Sequence, residues 1–182
     1  MKRICLVLVM LAAVAGGGAS AQESLADSLK NACAAMERIE CGFTQTRRVP
    51  MLDEAIVSHG RMSYVKPDRL KWEYTDPVVF VMEMNGTDLK VTGGKNGGAM
   101  FRDLAGLLMG AVSGKLISEG RLFETQVSRD GRFIVARLVP RKQELKNMWT
   151  CMTMFFDPKT FRASHIDISE NGGGVTTIDF DL

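Results

Sequence analysis

Two histidines, His59 and His165, are all the imidazole this chain carries, and they stand far apart with no cysteine or acidic cluster at ligand spacing. That composition offers no donor set for a zinc-like ion, so no metal is expected. A charge excess is lacking as well. Lysine and arginine number 23 against 21 aspartate and glutamate, and Lys2 and Arg3 at the extreme N-terminus account for the difference. A neutral chain without a basic stripe is a poor nucleic-acid binder. Cysteine is sparse, at four: Cys5, Cys33, Cys41 and Cys151. Long apolar runs are lacking but for residues 4–14, and that run is too short to span a bilayer.

The run at 4–14 has its own meaning. Lys2 and Arg3 precede it and Ala19-Ser20-Ala21 follows it. A positive start, an apolar middle and a small-residue cleavage site make a secretory signal peptide. Cleavage is expected before Gln22, which leaves residues 22–182 as one domain of ordinary size. No cysteine lies at the cut, so the new N-terminus offers no lipidation site. Three cysteines then remain, an odd number that cannot pair fully within one chain. A bridge between Cys33 and Cys41 stays open beside three unpaired thiols, since Cα separation decides.

Catalytic patterns are also missing. No Gly-x-Ser-x-Gly elbow occurs. The glycine loop Gly93-Gly94-Lys95-Asn96-Gly97-Gly98 has no hydroxyl after its lysine, and Gly110 to Leu116 is one residue short with Leu116 in the hydroxyl position. Neither can cradle a phosphate with its magnesium. Asp53, Glu54, Asp157, Asp179 and Asp181 fall on turns or wet strand faces. No catalytic residue, no cofactor and no enzymatic role are expected.

What is present is apolar patterning. Between Pro67 and Pro77, Leu70, Trp72 and Tyr74 alternate with Arg69, Lys71 and Glu73. Period-two alternation is a strand with one buried face, and proline confines it because it donates no ladder hydrogen bond. Residues 78–84, Val-Val-Phe-Val-Met-Glu-Met, read as a second strand apolar on both faces, with Asn85-Gly86 as the turn beyond it. Such a strand is expected to lie under a helix on one side and line an apolar cavity on the other. Residues 24–39 read as an amphipathic helix carrying Leu25, Leu29, Cys33, Met36 and Ile39, ended by Gly42. Residues 99–112 read as a second helix, with Met100, Phe101, Leu104, Leu107, Leu108 and Ala111 in a broad stripe. Gly106 and Gly110 loosen it, which suits a movable lid.

The remainder reads as strands at 43–49, 55–65, 87–92, 121–128, 132–139, 148–156, 161–169 and 175–182, with Gly60 at a bulge or a close-packing point. Tight turns between consecutive strands imply an antiparallel meander of about ten strands with two helices. Twelve methionines are many for this length, and methionine adapts to variable apolar guests. Two helices cannot cover both faces of such a sheet, and the surplus apolar surface suits an internal cavity.

These residues together resemble the outer-membrane lipoprotein carrier family, the periplasmic chaperones of the Lol pathway. The resemblance runs from the secretion signal and first helix through Phe43-Thr44-Gln45, Lys66-Pro67, Leu70-x-Trp72, Thr75-x-Pro77 and Gly86-x-x-Leu89. It continues in Leu138-Val139-Pro140, Phe156-Asp157 and Thr177-Ile178-Asp179-Phe180. It implies a single curved antiparallel sheet, an unclosed half barrel, with helices as a lid over an apolar cavity. By the same resemblance Leu70, Trp72 and Tyr74, with Phe80 and Met82 beside them, face acyl chains. Met100, Phe101, Leu104 and Leu108, with Leu29 and Met36, close the cavity as the lid.

Well-studied members have arginine before the proline as a lid latch. Here that position is Lys66, a point charge in place of a planar fork, so a weaker or different latch is expected. Members also continue past the final strand, whereas this sequence stops at Leu182, which implies an altered handover or a divergent branch. The resemblance further implies a monomeric periplasmic carrier whose partners are acylated lipoproteins or another lipid, an inner-membrane lipoprotein-releasing transporter and an outer-membrane acceptor. The alternatives are a carrier of another acylated or polyene lipid, and a non-catalytic half-barrel domain that binds or senses a protein.

Overall fold

A computed structural model of the chain describes residues 17–93, 98–118 and 120–181, with side chains from residue 25 onward except 98–104 and 118. In chain order the elements are α1 (Gly17–Ala35), β1 (Arg38–Arg48), β2 (Ile56–Val65), β3 (Arg69–Asp76), β4 (Phe80–Asn85), β5 (Asp88–Thr92), α2 (Gly98–Val112) and α3 (Lys115–Ser118). They continue with β6 (Phe123–Asp130), β7 (Phe133–Pro140), α4 (Gln143–Lys146), β8 (Trp149–Phe156), β9 (Ala163–Glu170) and β10 (Val175–Asp181). The expected leader lies mostly at residues 1–16, outside the described residues. α1 begins at Gly17 and runs through the expected cut.

The ten strands form one antiparallel sheet in the order β5-β4-β3-β2-β1-β10-β9-β8-β7-β6. The edge strands β5 and β6 do not pair, so the barrel is unclosed. Two meanders, β1 to β5 and β6 to β10, are each built of neighbours in sequence. They are joined where β1 pairs with β10, in the register Phe43 to Phe180. The chain passes from β5 to β6 by α2 and α3, which therefore cross from one edge of the sheet to the other. α2 lies against β3 and β4, while α1 and α3 pack on each other and on β6. The half barrel with helices over one face is the architecture expected from the sequence.

One face of the sheet, here called the inner face, carries the core. Registers place side chains in rows across the strands: Phe180, Phe43, Gly60, Tyr74 and Phe80 in one, and Cys41, Met62, Trp72, Met82 and Val91 in the next. On the other half, Ile178, Ile166, Met154, Ala136 and Val127 continue the pattern. These side chains join Leu29, Cys33, Leu108 and Leu116 of the helices in one contiguous cluster. The outer face shows the complementary polar set, with Arg61, Lys71 and Asp179 exposed.

Several boundaries differ from the sequence reading. The first helix ends at Ala35, and Ile39 stands on β1 instead. The spacing of Cys33, Met36 and Ile39 continues a helical period by coincidence, and Ile39, Cys41 and Phe43 already obey the strand period of two. Gly42 sits within β1, where an added Cβ would lie 2.7 Å from the Asp181 carboxylate. Residues 78–79 are not strand: Val78 and Val79 fall in the connection after Pro77 and are 61% and 65% exposed. β4 is therefore one-sided, with Met82 buried and Glu83 exposed, because the outer side of this sheet faces water. The turn read at Asn85-Gly86 begins one residue later, since Asn85 pairs with Asp88. α3 and α4 are single turns, too short to leave a periodic signal.

Gly60 is the bulge: the β2–β3 register slips between His59 and Gly60. The Phe43 ring and the Glu73 carbonyl occupy the space a side chain would need there. Gly60→Ala is expected to lower the unfolding free energy by about 1–3 kcal/mol. Gly172→Ala, where nothing lies within 4 Å of the new methyl, is the control and should change it by less than about 0.5 kcal/mol. Urea denaturation of the two variants measures the difference.

Candidate functional site

The inner face is where sequence and structure concentrate apolar surface. β3 supplies its centre because Leu70, Trp72 and Tyr74 alternate inward, and all three are buried. Trp72 stacks on Phe43 with ring centroids 4.2 Å apart. Tyr74 stacks on Phe80 at 4.4 Å and meets Phe43 edge-on at 5.3 Å. Phe180 of β10 approaches Trp72 edge-on at 6.2 Å. Offset and edge-on pairs of this kind contribute roughly 0.5–1.5 kcal/mol each beyond area burial. The Tyr74 hydroxyl donates to Gln45 Oε1 at 2.8 Å, and burial raises it above its ordinary pKa. The Trp72 indole N–H is buried with no hydrogen-bond partner among the described residues. Met82 and Leu70 complete this half of the face, so the five residues singled out for it lie side by side on β3 and β4.

From the helices, Leu29 and Leu108 enter the same cluster, each about fully buried. Met36 stands just beyond α1, half-buried, in the wall of a small cavity between helices and sheet. Met100, Phe101 and Leu104 lie on α2, and their side chains are outside the described residues. Phe43, Met62, Met154, Phe156, Ile166 and Phe180 belong to the inner face but were not singled out from the sequence. Their signal was the plain alternation of β1, β2, β8, β9 and β10, without an aromatic hairpin to draw attention to it.

That small cavity touches Cys33, Met36, Cys41, Met62, Ala111, Met154, Phe161 and Arg162. Its volume is about 30 Å³, room for little more than a water. At this point, among the described residues, the gap between helices and sheet is filled by side chains. Cys33 and Cys41 both line it as free thiols. Burial pushes each up to about 11, with the Asp181 carboxylate adding to the effect at Cys41. Thiols held that high are protonated at neutral pH and are poor nucleophiles. Cys151, the third, is also free. Among the described residues no group of His, Cys, Asp and Glu is arranged to hold a metal. His59 Nδ1 meets Thr44 Oγ1 at 3.2 Å, and His165 stacks on Phe155 at 3.9 Å, both on the outer side.

Lys66 stands at the end of β2 where the chain passes beneath α1. Its Nζ donates to the Ala34 carbonyl at 2.9 Å and reaches Glu37 Oε1 at 3.3 Å. The Ala34 carbonyl is in the last turn of α1, where carbonyls lack helical partners and a cation is favoured. Both side chains of the ion pair are exposed, at 42% and 80%, so it is a weak tie. At the opposite rim, Arg47 Nε and Nη2 donate to Glu170 Oε1 and Oε2 at 2.9 and 2.8 Å, and the Thr176 hydroxyl adds a bond at 3.2 Å. The Arg47 hydrogen bond holds the Glu170 carboxyl below its ordinary range.

No family model matches the sequence, and no curated protein matches it. Solved structures do match in shape. A LolA superfamily protein from Nitrosomonas europaea is 10% identical, with a TM-score of 0.48 over 88% of this chain and 91% of that one. A putative outer-membrane lipoprotein-sorting protein domain from Vibrio parahaemolyticus is 11% identical, with a TM-score of 0.40 over 86% and 89%. The Mycobacterium tuberculosis lipoprotein LppX is 12% identical, with a TM-score of 0.45 over 90% and 94%. At these identities the likeness is one of overall fold alone.

Two outcomes follow from the rim contacts. Lys66→Met should change global stability by less than about 1 kcal/mol, yet speed amide hydrogen exchange in the last turn of α1. Unchanged exchange there would remove Lys66 as a tie. The Arg47–Glu170 pair stabilises the fold above the free carboxyl value of 4.5, and that contribution is lost as pH falls through the lower folded value. Glu170→Gln should therefore cost about 1 kcal/mol or less at neutral pH, and the cost should vanish in acid. Denaturation of wild type and variant across pH measures it.

Proposed function

We propose that this protein is a periplasmic carrier that shields the acyl chains of lipoproteins in transit from the inner to the outer membrane. The reading rests on one observation. The inner face of the sheet is apolar across its middle strands and is roofed by helices that share no ladder hydrogen bonds with it. A roof of that kind can leave without unpairing a strand.

The energetics suit such a role. Each acyl methylene left in water costs about 0.8 kcal/mol, so a lipidated protein needs an apolar enclosure to cross an aqueous space. Leu70, Trp72, Tyr74, Phe80 and Met82 form the acyl-chain wall. Leu29 and Leu108, with Met36, Met100, Phe101 and Leu104, form the lid face that gives way. Lys66 is the latch at the end of α1, its ammonium on the Ala34 carbonyl doing with a point charge what a planar guanidinium does with two bonds. In the closed form the cavity is about 30 Å³. Loading accordingly means that acyl chains replace lid side chains on the inner face, at an inner-membrane transporter, and unloading at an outer-membrane acceptor reverses the exchange.

Native mass spectrometry of the protein purified gently from its own periplasm tests this. The expected result is a chain beginning at Gln22, carrying the mass of an acylated lipoprotein in a fraction of molecules. A smaller lipid mass would move the assignment to another acylated or polyene lipid. A bare protein that also fails to take up an apolar dye would overturn the carrier reading.

A further inference from the structure

The small cavity has one feature that an acyl-chain wall does not require. Among its described lining residues Arg162 alone carries a charge; the others are methionine, cysteine, alanine, valine, isoleucine and phenylalanine. Arg162 is exposed at the lip, and its guanidinium makes no ion pair with a described residue. Its charge acts on Cys41 inside the cavity, less strongly than the Asp181 carboxylate, which acts there in the opposite sense.

The backbone that presents it is costly and braced. Phe161 has φ 55°, and among the described residues no other non-glycine has a positive φ. An aromatic residue does not adopt that conformation unless its surroundings impose it. Here Asp157 imposes it. The Asp157 Oδ1 accepts from the backbone of Lys159 and Thr160 at 2.9 and 2.8 Å and from the Thr160 hydroxyl at 3.1 Å. The Asp157 N–H donates to the Arg162 carbonyl at 2.9 Å, and its carbonyl accepts from Phe161 N–H at 2.8 Å. The left-handed turn sends the Phe161 ring in against the core and leaves Arg162 beside it at the entrance. The lining also holds Met36, Met62 and Met154, which can change rotamer to admit a chain.

We infer that this cavity is the seat of an amphiphile with an anionic head, its alkyl chain entering among the methionines and its carboxylate or phosphate held by Arg162. A guanidinium offers paired donors to either anion. The inference rests on the acyl-carrier reading and adds to it a ligand class and a residue that selects it.

Calorimetric titration of the mature protein with dodecanoate, dodecyl phosphate and dodecanol, each below its micelle threshold, tests the assignment. At least one anion should bind about tenfold more tightly than the alcohol, the worth of one charge-assisted contact. Whichever anion does so identifies the head group, carboxylate or phosphate. Arg162→Gln should abolish that preference and leave dodecanol affinity unchanged, and Arg162→Lys should restore part of it. The side chain is exposed and the loop is braced through its backbone, so neither variant disturbs the fold. Equal binding of alcohol and anions, or a preference that survives Arg162→Gln, would overturn the inference while leaving the carrier reading intact. Failure of all three ligands to bind would sink both.

Discussion

The pairing of β1 with β10 is the constraint on which the rest of the structure depends. Each half of the sheet is a meander that could be written down from its own turns. Only the seam between them turns two five-stranded sheets into one inner face. Its register sets Phe43 beside Phe180 and Gln45 beside Ile178. A slip of one residue would turn every inward side chain of β10 toward water. The Phe43 ring fits over Gly60 on one side and reaches Trp72 and Tyr74 beyond it, so the seam and the aromatic cluster are parts of one packing solution.

The inner face is held closed by apolar contact far more than by polar ties. Leu29, Cys33 and Leu108 are buried in the same cluster as Trp72 and Met82. Against that, Lys66 gives α1 an exposed, water-competed anchor. Hydrophobic burial is non-directional, so another apolar group of similar area can replace the helix side chains on this face with little net change in free energy. A directional network of buried hydrogen bonds would not allow such an exchange without leaving partners unpaired.

Much of this was legible in the residues. Leu70, Trp72 and Tyr74, alternating between two prolines, placed β3 and its buried face correctly. Gly60 announced its bulge, and the tight turns announced an antiparallel sheet. The start of β1 was obscured because Ile39 satisfies two periods at once, the helical one with Cys33 and Met36 and the strand one with Cys41 and Phe43. Val78 and Val79 misled because apolar character does not distinguish a covered strand from an exposed connection. Asp157 was legible as a turn residue, but its bracing of Phe161 and the placing of Arg162 at the cavity could not be read. Their meeting with Cys41 and Met36 is made by strand register between distant parts of the chain, and a strained φ leaves no compositional mark on a phenylalanine. Lys66 carried a role only by resemblance, since nothing local to it names Ala34 as its neighbour.

The route of α2 and α3 has a further consequence. They are a bridge fastened at both ends, to β5 at one edge of the sheet and β6 at the other. A displaced roof therefore cannot diffuse away. It stays as a tethered competitor for its own binding face, at an effective concentration fixed by the span between the two edges. On the carrier reading proposed above, cargo must outcompete that local pool to remain bound. Affinity for cargo and readiness to release it are thus two readings of one intramolecular equilibrium, and the length and stiffness of the bridge set the balance between them.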